Sequence, residues 1–315
     1  MSENVRLSPI LAKIEVSYNT DPSPVPASDA ILVENPQVAD EGTRMNERPA
    51  ARSSLGQLKH IYGGKLKTIT FDAELKGSGT AGTAPEMDVL LRACGLEQTI
   101  VPATSVSYSP RTKGHESITI YAYQDGRLHI LTGCRGNVSF NGEAGAIGKA
   151  TFTFTGHSEK PTDIALPDPA FGAIVPAPFI NSVGSTIGAF NAAAGLVFAA
   201  ITYDLQNVLA LQPDVSGIDG FAEIQIVSRD VIGTINPEMT LVATKDWADE
   251  FRTGAVQNIS SGLIGGTAGN QYSLVAPQSS YRELGNADQD GLRVNEIGFG
   301  CAETTKDDEF TLSFV

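Results

Sequence analysis

Gly77-Ser78-Gly79-Thr80-Ala81-Gly82 has the G-x-G-x-x-G spacing that lets a backbone approach the pyrophosphate of a dinucleotide. Glu97 follows at about the twenty-residue separation at which an acidic side chain meets a ribose hydroxyl. That chemistry also needs a doubly buried parallel strand before the run and a helix opening on its glycines. Residues 68–75 read Thr-Ile-Thr-Phe-Asp-Ala-Glu-Leu, an alternation of polar and apolar, and the glycines end before the helix signal begins. No further βαβ units follow. The run therefore reads as a flexible connection from strand to helix.

Asn286-Ala287-Asp288-Gln289-Asp290-Gly291 opens like a calcium loop, whose bidentate Glu belongs at loop position twelve. Ile297 holds that position and Glu296 is one residue early, so a polar turn between strands is expected. His60, His115, His129 and His157 are isolated, and no zinc-protease, nucleophile-elbow or P-loop signature occurs. His129, within Leu128-His129-Ile130-Leu131, reads as a strand residue. Cys94, Cys134 and Cys301 are far apart and odd in number, which writes neither a disulfide framework nor a paired metal site. The sequons Asn137-Val138-Ser139 and Asn258-Ile259-Ser260 matter only in a secreted chain. No catalytic, cofactor-binding or metal-binding residue is assigned, and an enzyme is not expected.

The elements that could position such groups are mostly strands. Period-two alternation marks residues 13–18, 68–75, 117–123 and 151–155, the pattern of antiparallel sheets with one wet face. Asp125-Gly126 supplies a hairpin turn. Two helices are expected. One runs from Pro85 to Cys94, with Thr83 as cap, Gly95 as stop, and Met87, Leu90, Leu91 and Cys94 on one face. The other runs from Lys245 to Arg252, with Thr244 as cap and Trp247 and Phe251 on one face.

The two halves repeat this order at an offset of about 160 residues, too long for a solenoid repeat. The first half reads strand, strand, helix, strand 117–123, and a hairpin ending at Phe152 and Phe154. The second reads strands 197–203, 221–228 and 239–243, helix, strand 271–276, and a hairpin ending at Phe310, Leu312 and Phe314. Residues 1–160 form the first expected domain, 161–179 a proline-rich linker, and 180–315 the second. The uncharged stretch from Pro169 to Tyr203 is broken by prolines, glycines and polar residues. It is expected to be a linker followed by a buried strand rather than a membrane span.

At 315 residues, 41% hydrophobic and 18% charged, the chain can build real cores. Its net charge of −14 is uneven. Residues 1–160 hold 16 basic and 17 acidic side chains, and residues 161–315 hold 6 and 19. The second half is thus unsuited to gripping phosphates. The N-terminus, MSENVRLSPILAKIEV, lacks the features of a signal peptide, so a cytoplasmic product is expected. Residues 35–64 form a long aperiodic insertion in the first half. Arg44, Met45, Arg48, Arg52 and Lys59 on it could meet an acidic neighbour.

Residues 67–86, Lys-Thr-Ile-Thr-Phe-Asp-Ala-Glu-Leu-Lys-Gly-Ser-Gly-Thr-Ala-Gly-Thr-Ala-Pro-Glu, lead into Leu90-Leu91-Arg92-Ala93-Cys94-Gly95-Leu96. This block resembles the strand-loop-helix block of the tail tube (major tail) proteins of long-tailed phages. Ser117-Ile118-Thr119-Ile120-Tyr121, Leu131-Thr132-Gly133-Cys134-Arg135-Gly136 and Thr151-Phe152-Thr153-Phe154-Thr155-Gly156 extend it. Asp230-Val231-Ile232-Gly233 and Leu241-Val242-Ala243-Thr244-Lys245-Asp246-Trp247 carry it loosely into the second half.

The resemblance implies a mainly β fold: two tandem antiparallel β-sandwich or barrel domains, each with one flanking α-helix. It implies a non-enzymatic virion protein, assembled in the host cytoplasm, that packs with itself into stacked rings. The hollow tube would pass DNA without binding it specifically, in a flexible tail of the siphovirus kind. A duplicated domain would let a trimer mimic the family's usual hexameric ring. Tape measure, tail terminator and distal tail proteins are the implied partners. The 35–64 insertion is the candidate contact to the next ring. The alternatives are a carbohydrate- or receptor-binding sandwich at a tail tip, the tube of a secretion or injection system, and a nucleotide-using enzyme.

Overall fold

A computed structural model of the chain describes residues 6–171, 175–180, 185–187, 197–217 and 219–315. Among these residues the strands of the first half are β1 (Ile10–Ile14), β2 (Ala30–Ile31), β3 (Glu34–Glu41), β4 (Met45–Asn46), β5 (Ile61–Tyr62), β6 (Leu66–Glu74), β7 (Leu96–Val101), β8 (Ser105–Pro110), β9 (Ile118–Gln124), β10 (Arg127–Glu143) and β11 (Lys149–Ser158). Then come β12 (Thr162–Asp163), β13 (Ser185–Ile187), β14 (Phe198–Asp204), β15 (Val208–Ala210), β16 (Gln225–Ser228) and β17 (Ile232–Pro237). The last are β18 (Gln257–Ser260), β19 (Gly262–Ile264), β20 (Tyr272–Gln289), β21 (Leu292–Cys301) and β22 (Thr311–Phe314). Helix α1 spans Asp88–Ala93 and α2 spans Trp247–Thr253. The fold is mainly antiparallel β with two short helices, as expected.

The central feature is an eight-stranded antiparallel sheet in the order β3-β6-β11-β10-β14-β17-β21-β20. Its second four strands repeat the order of the first four. β10 joins the two sets because it is long enough for two partners on one edge. Residues 127–134 pair with β9, and residues 139–143 pair with β14. A second junction forms where β22 pairs with β8, setting Leu312 opposite Tyr108.

One core spans both halves. It draws on the inward residues of the sheet, among them Phe71, Phe152, Phe154, Phe140, Tyr203 and Phe299, and on Ile10, Val106, Ile118 and Leu312. Leu90 and Leu91 of α1 and Trp247 of α2 complete it. Each fully buried Leu or Phe is worth roughly 1.5–3 kcal/mol relative to exposure.

Both helices start later than the sequence pattern predicts. Met87, not Thr83, precedes α1, and its side chain makes no capping bond. The residues before it form a turn in which the carboxylate of Glu86 accepts the Leu32 N–H at 2.7 Å. Gly95 follows the helix with φ of 78°, as expected. α2 is capped by Asp246, which accepts the Asp249 N–H at 2.9 Å, and ends at left-handed Gly254.

In the second half, residues 239–243 are not a strand. β17 takes that role, and Leu241 and Val242 are 79% and 71% exposed. The hairpin is β20–β21, and β22 follows as a separate strand, so the hairpins depart from the 160-residue offset that the helices keep. β3 corresponds to β14 in sheet position, and each carries a bulge, after Glu34 on the outward face and after Phe198 on the core face.

The connection over 161–171 lies along the first half. β12 pairs with β10, Leu166 and Phe171 pack on Leu11, Ala30, Tyr123 and Leu128, and the Ala170 N–H donates to Pro26 O at 2.9 Å. Residues 172–174, 181–184 and 188–196 of the stretch expected as linker and strand lie outside the described residues. Among the described residues no helix is long and apolar enough to cross a membrane.

Candidate assembly surface

The outward face of the eight-stranded sheet is polar across its width. One row reads Glu74, Lys149, Asn141, Thr202, Thr234, Gly298 and Glu283, each residue opposite the next. The adjacent row reads Asp72, Thr151, Ser139, Asp204 and Ile232. Strand alternation puts these side chains on one face while Phe71, Phe152, Phe140 and Tyr203 point into the core. Short side chains bond across strands. Asp72 accepts from Thr151 at 2.6 Å, Asp204 accepts from Asn137 at 2.7 Å, and the Thr202 and Thr234 hydroxyls lie 2.6 Å apart. The face carries Asp72, Glu74, Glu143, Asp204, Glu283 and Glu296 against Lys149, which pairs with Glu34 at 2.6 Å, and Arg282, which lies over Gly300 and pairs with Asp230. It is therefore strongly negative.

The same sheet ends in two open edges. Among the described residues β3 pairs only with β6. β20 is covered by β18 over residues 275–279, and its edge beyond that point, residues 280–289, has no partner opposite β21 among the described residues. This open stretch corresponds to the part of β10 that β14 occupies. Open edges of this length present unpaired N–H and C=O groups to another chain.

The candidate contact residues divide into two environments. β3 leads into the small β4–β5 ladder, where Met45 lies opposite Tyr62. Arg44, at its base, turns inward: its guanidinium donates to Gly220 O at 2.7 Å and lies 3.8 Å from the Phe221 ring centroid. It belongs to a clamp on the second half rather than to the exposed set. In the same clamp the Ile224 N–H donates to the Tyr18 hydroxyl at 2.8 Å, Arg135 donates to Glu223 and Ile224 O, and His157 Nδ1 lies 3.6 Å from Asp219. Met45, Arg48, Arg52 and Lys59 are exposed, and residues 47–60 project beyond the ladder. Arg52 donates to Gly56 O within this arm.

A family model described as phage tail tube protein matches residues 6–301. The chain belongs to the phage tail tube protein family. No curated protein matches it. As a tail tube protein it is a structural component of the virion.

The motifs that suggested other chemistry have structural roles in this tail tube protein. Gly77 and Gly79 lie where residues 269–270 cross the first half. The Gly77 N–H donates to Asn270 Oδ1 at 2.9 Å, and a Cβ on Gly77 would stand 2.1 Å from Gly269 O. Only a glycine admits so close a backbone approach. Asn286–Gln289 lie within β20, and Asp290-Gly291 form the hairpin turn with φ of 54° and 84°. No group of three His, Cys, Asp or Glu side chains able to hold a metal occurs among the described residues.

His129 and Lys67 form a buried pair, with Lys67 Nζ 2.6 Å from His129 Nδ1. The His129 Nε2–H donates to Gln124 Oε1 at 3.0 Å, so the ring accepts from Lys67 as a neutral imidazole. Burial, then the charges of Lys67 and Arg127, hold its pKa down to about 4. All three cysteines are buried free thiols. Burial pushes the Cys301 thiol up to about 11, far from a reactive thiolate. Sequence pattern could not reveal the clamp, because it joins Tyr18, Arg44, Arg135 and His157 to residues far along the chain.

Proposed function

We propose that the chain assembles head to tail into closed rings that stack into a hollow tail tube, with no catalytic step. The observation that carries this reading is the pair of open edges, β3 at one end of the eight-stranded sheet and residues 280–289 of β20 at the other. β3 of one copy would pair with β20 of the next as β14 pairs with β10. The outward residues Gln37 and Ala39 of one copy would then share a face with Gly285, Ala287 and Gln289 of its neighbour. A contact between two different surfaces that closes on itself gives a ring, and axial contacts that do not close give a filament.

The repeated strand order supports a duplicated tube domain, and hence a trimer with pseudo-sixfold symmetry. Three copies would supply about 24 strands, roughly 45–50 Å across at the backbone for ~4.8 Å spacing and ~40° tilt. A duplex passes such a lumen. The polar, acidic sheet face would line it, repelling phosphates so that DNA slides during ejection. The exposed arm, with Met45, Arg48, Arg52 and Lys59, would reach the adjacent ring. Tape measure, tail terminator and distal tail proteins would meet the tube's interior and ends. Assembly would take place in the host cytoplasm.

Negative-stain electron microscopy of the purified protein, with the mass of the smallest assembled species, tests this. Hollow rings of three chains are expected. Rings of six chains would overturn the duplication argument and retain the tube. Val38→Pro and Ala39→Pro test the edge. Successive N–H groups point to opposite sides of a strand, so one of the two variants removes an outward donor and leaves the β6 ladder whole. That variant should remain folded and fail to form rings. Normal rings from both variants would sink the edge-pairing reading.

A further inference from the structure

We propose that the β4–β5 ladder of one chain docks on the C-terminal end of α2 in a second copy; this deepens the ring reading and rests on it. Each half inserts a two-stranded ladder between the first two strands of its sheet. Met45 lies opposite Tyr62 in one, and Leu209 lies opposite Ile226 in the other. Both residues of the pair are displaced by 164 positions.

The second ladder is docked. Ile226 Cδ1 lies 3.0 Å from where a Cβ on Gly95, the residue ending α1, would stand. Asn207, just before β15, donates to Cys94 O at 2.7 Å and to Gly136 O at 3.0 Å. The first ladder has no such cover. Met45 and Tyr62 are 55% and 56% exposed.

The matching receptor is also bare. Gly254 ends α2 as Gly95 ends α1, both with positive φ, yet among the described residues nothing lies within 4 Å of the Cβ position at Gly254. Phe251 and Val256 beside it are 40% and 57% exposed. Arg282 stands at the β20–β21 bulge as Arg135 stands at the β10–β11 bulge. Arg135 is buried under the docked segment, whereas Arg282 reaches the surface, held by Asp230 at 2.5 and 2.7 Å.

The two contacts are compatible in direction. β3 runs directly into β4, and α2 packs on β20, with the Trp247 and Tyr281 rings 6.0 Å apart. A copy whose β3 pairs with β20 therefore brings its ladder to α2. The occupant is a second copy because the chain already fills the equivalent site with its own equivalent ladder. Burying Met45 and Tyr62 against Phe251 and Val256 removes an apolar patch that an isolated chain leaves wet.

Cross-linking tests this. Exposed cysteines are introduced by Tyr62→Cys and Val256→Cys, singly and together, and assembled tubes are treated with a short bis-maleimide. The native thiols are buried and serve as the background. The double variant should give covalent species of two chains and up to the full ring on denaturing gels, and the single variants only monomers. Tubes of normal appearance without such species would overturn the docking and leave the ring reading intact. A double variant whose wild-type parent stays monomeric under every assembly condition would overturn both. As a second variant, Tyr62→Asp should keep the thermal transition of the wild type and lose rings. Wild-type ring yield from Tyr62→Asp would also defeat the proposal.

Discussion

Phe140 of β10 lies directly opposite Tyr203 of β14, and this pair welds the two halves of the chain. The Tyr203 ring stands 5.5 Å from Phe299 and 5.4 Å from Phe310, and its hydroxyl donates to Ile259 O at 3.1 Å. Tyr203→Ala leaves a cavity and an orphaned carbonyl, a loss of about 3–5 kcal/mol. Because one core serves both halves, the variant and the wild type should each unfold in a single transition. Urea titration followed by fluorescence and circular dichroism checks this; two resolved transitions would show independent halves.

Gly77→Ala should destabilise by ~1–3 kcal/mol, because the new methyl meets the backbone of Gly269 and Asn270 rather than a movable side chain. Gly285→Ala, whose Cβ position has only ordinary contacts at 3.6 Å, should change stability by less than about 0.5 kcal/mol. Melting temperatures of the two variants measure the contrast.

The Lys67–His129 pair predicts a pH dependence. His129 has a folded pKa of about 4 against an ordinary value of 6.5, so the unfolded chain takes up its proton first as pH falls. The stabilisation is complete above pH ~6.5 and declines toward pH ~4, by up to roughly 3 kcal/mol. Unfolding free energies at pH 7.5, 6 and 5 should fall in that order, and His129→Gln should flatten this part of the profile. An unchanged slope in the variant would assign the pH dependence elsewhere.

Reversing charge on the acidic sheet face should make the proposed lumen grip DNA. Tubes carrying Glu143→Lys, Glu283→Lys and Glu296→Lys should retain duplex DNA at low salt, with log affinity falling linearly in log salt. Wild-type tubes should not. Equal retention by the two would place these residues outside the lumen.

The arm residues should separate by role. Arg48→Glu with Arg52→Glu and Lys59→Glu should leave rings intact and shorten or abolish tubes. Arg44→Glu should instead cost about 1–2 kcal/mol of chain stability, through its lost contact with Phe221 and Gly220. Tube length by microscopy and chain stability by denaturation read the two effects separately.

Much of the fold was legible because strand alternation is local. Thr68–Leu75, Ile118–Tyr123 and Thr151–Thr155 announce their inward and outward faces, and Asp125-Gly126 announces its turn. Pattern failed where local signals compete with contacts from afar. Residues 239–243 have strand composition, yet Leu241 and Val242 lie in the exposed lead to α2. Thr83 has capping chemistry, but the turn held by Glu86 and Leu32 delays the helix. At the candidate surface, the sequence isolated the basic residues of the arm but grouped Arg44 with them. Only the position of Phe221, far along the chain, separates it.

The sequence by itself determined the class of the fold, the uneven charge and the membership signalled by residues 67–96. Each follows from composition, from short-range periodicity, or from a contiguous block. Tertiary structure decided which strands are neighbours, that the two halves share one core, and which edges stay open. It also turned the glycine run into a backbone crossing and the scattered carboxylates into one acidic face. Those outcomes depend on pairings between residues more than a hundred positions apart. No local preference encodes them, and the packing of the whole chain selects them.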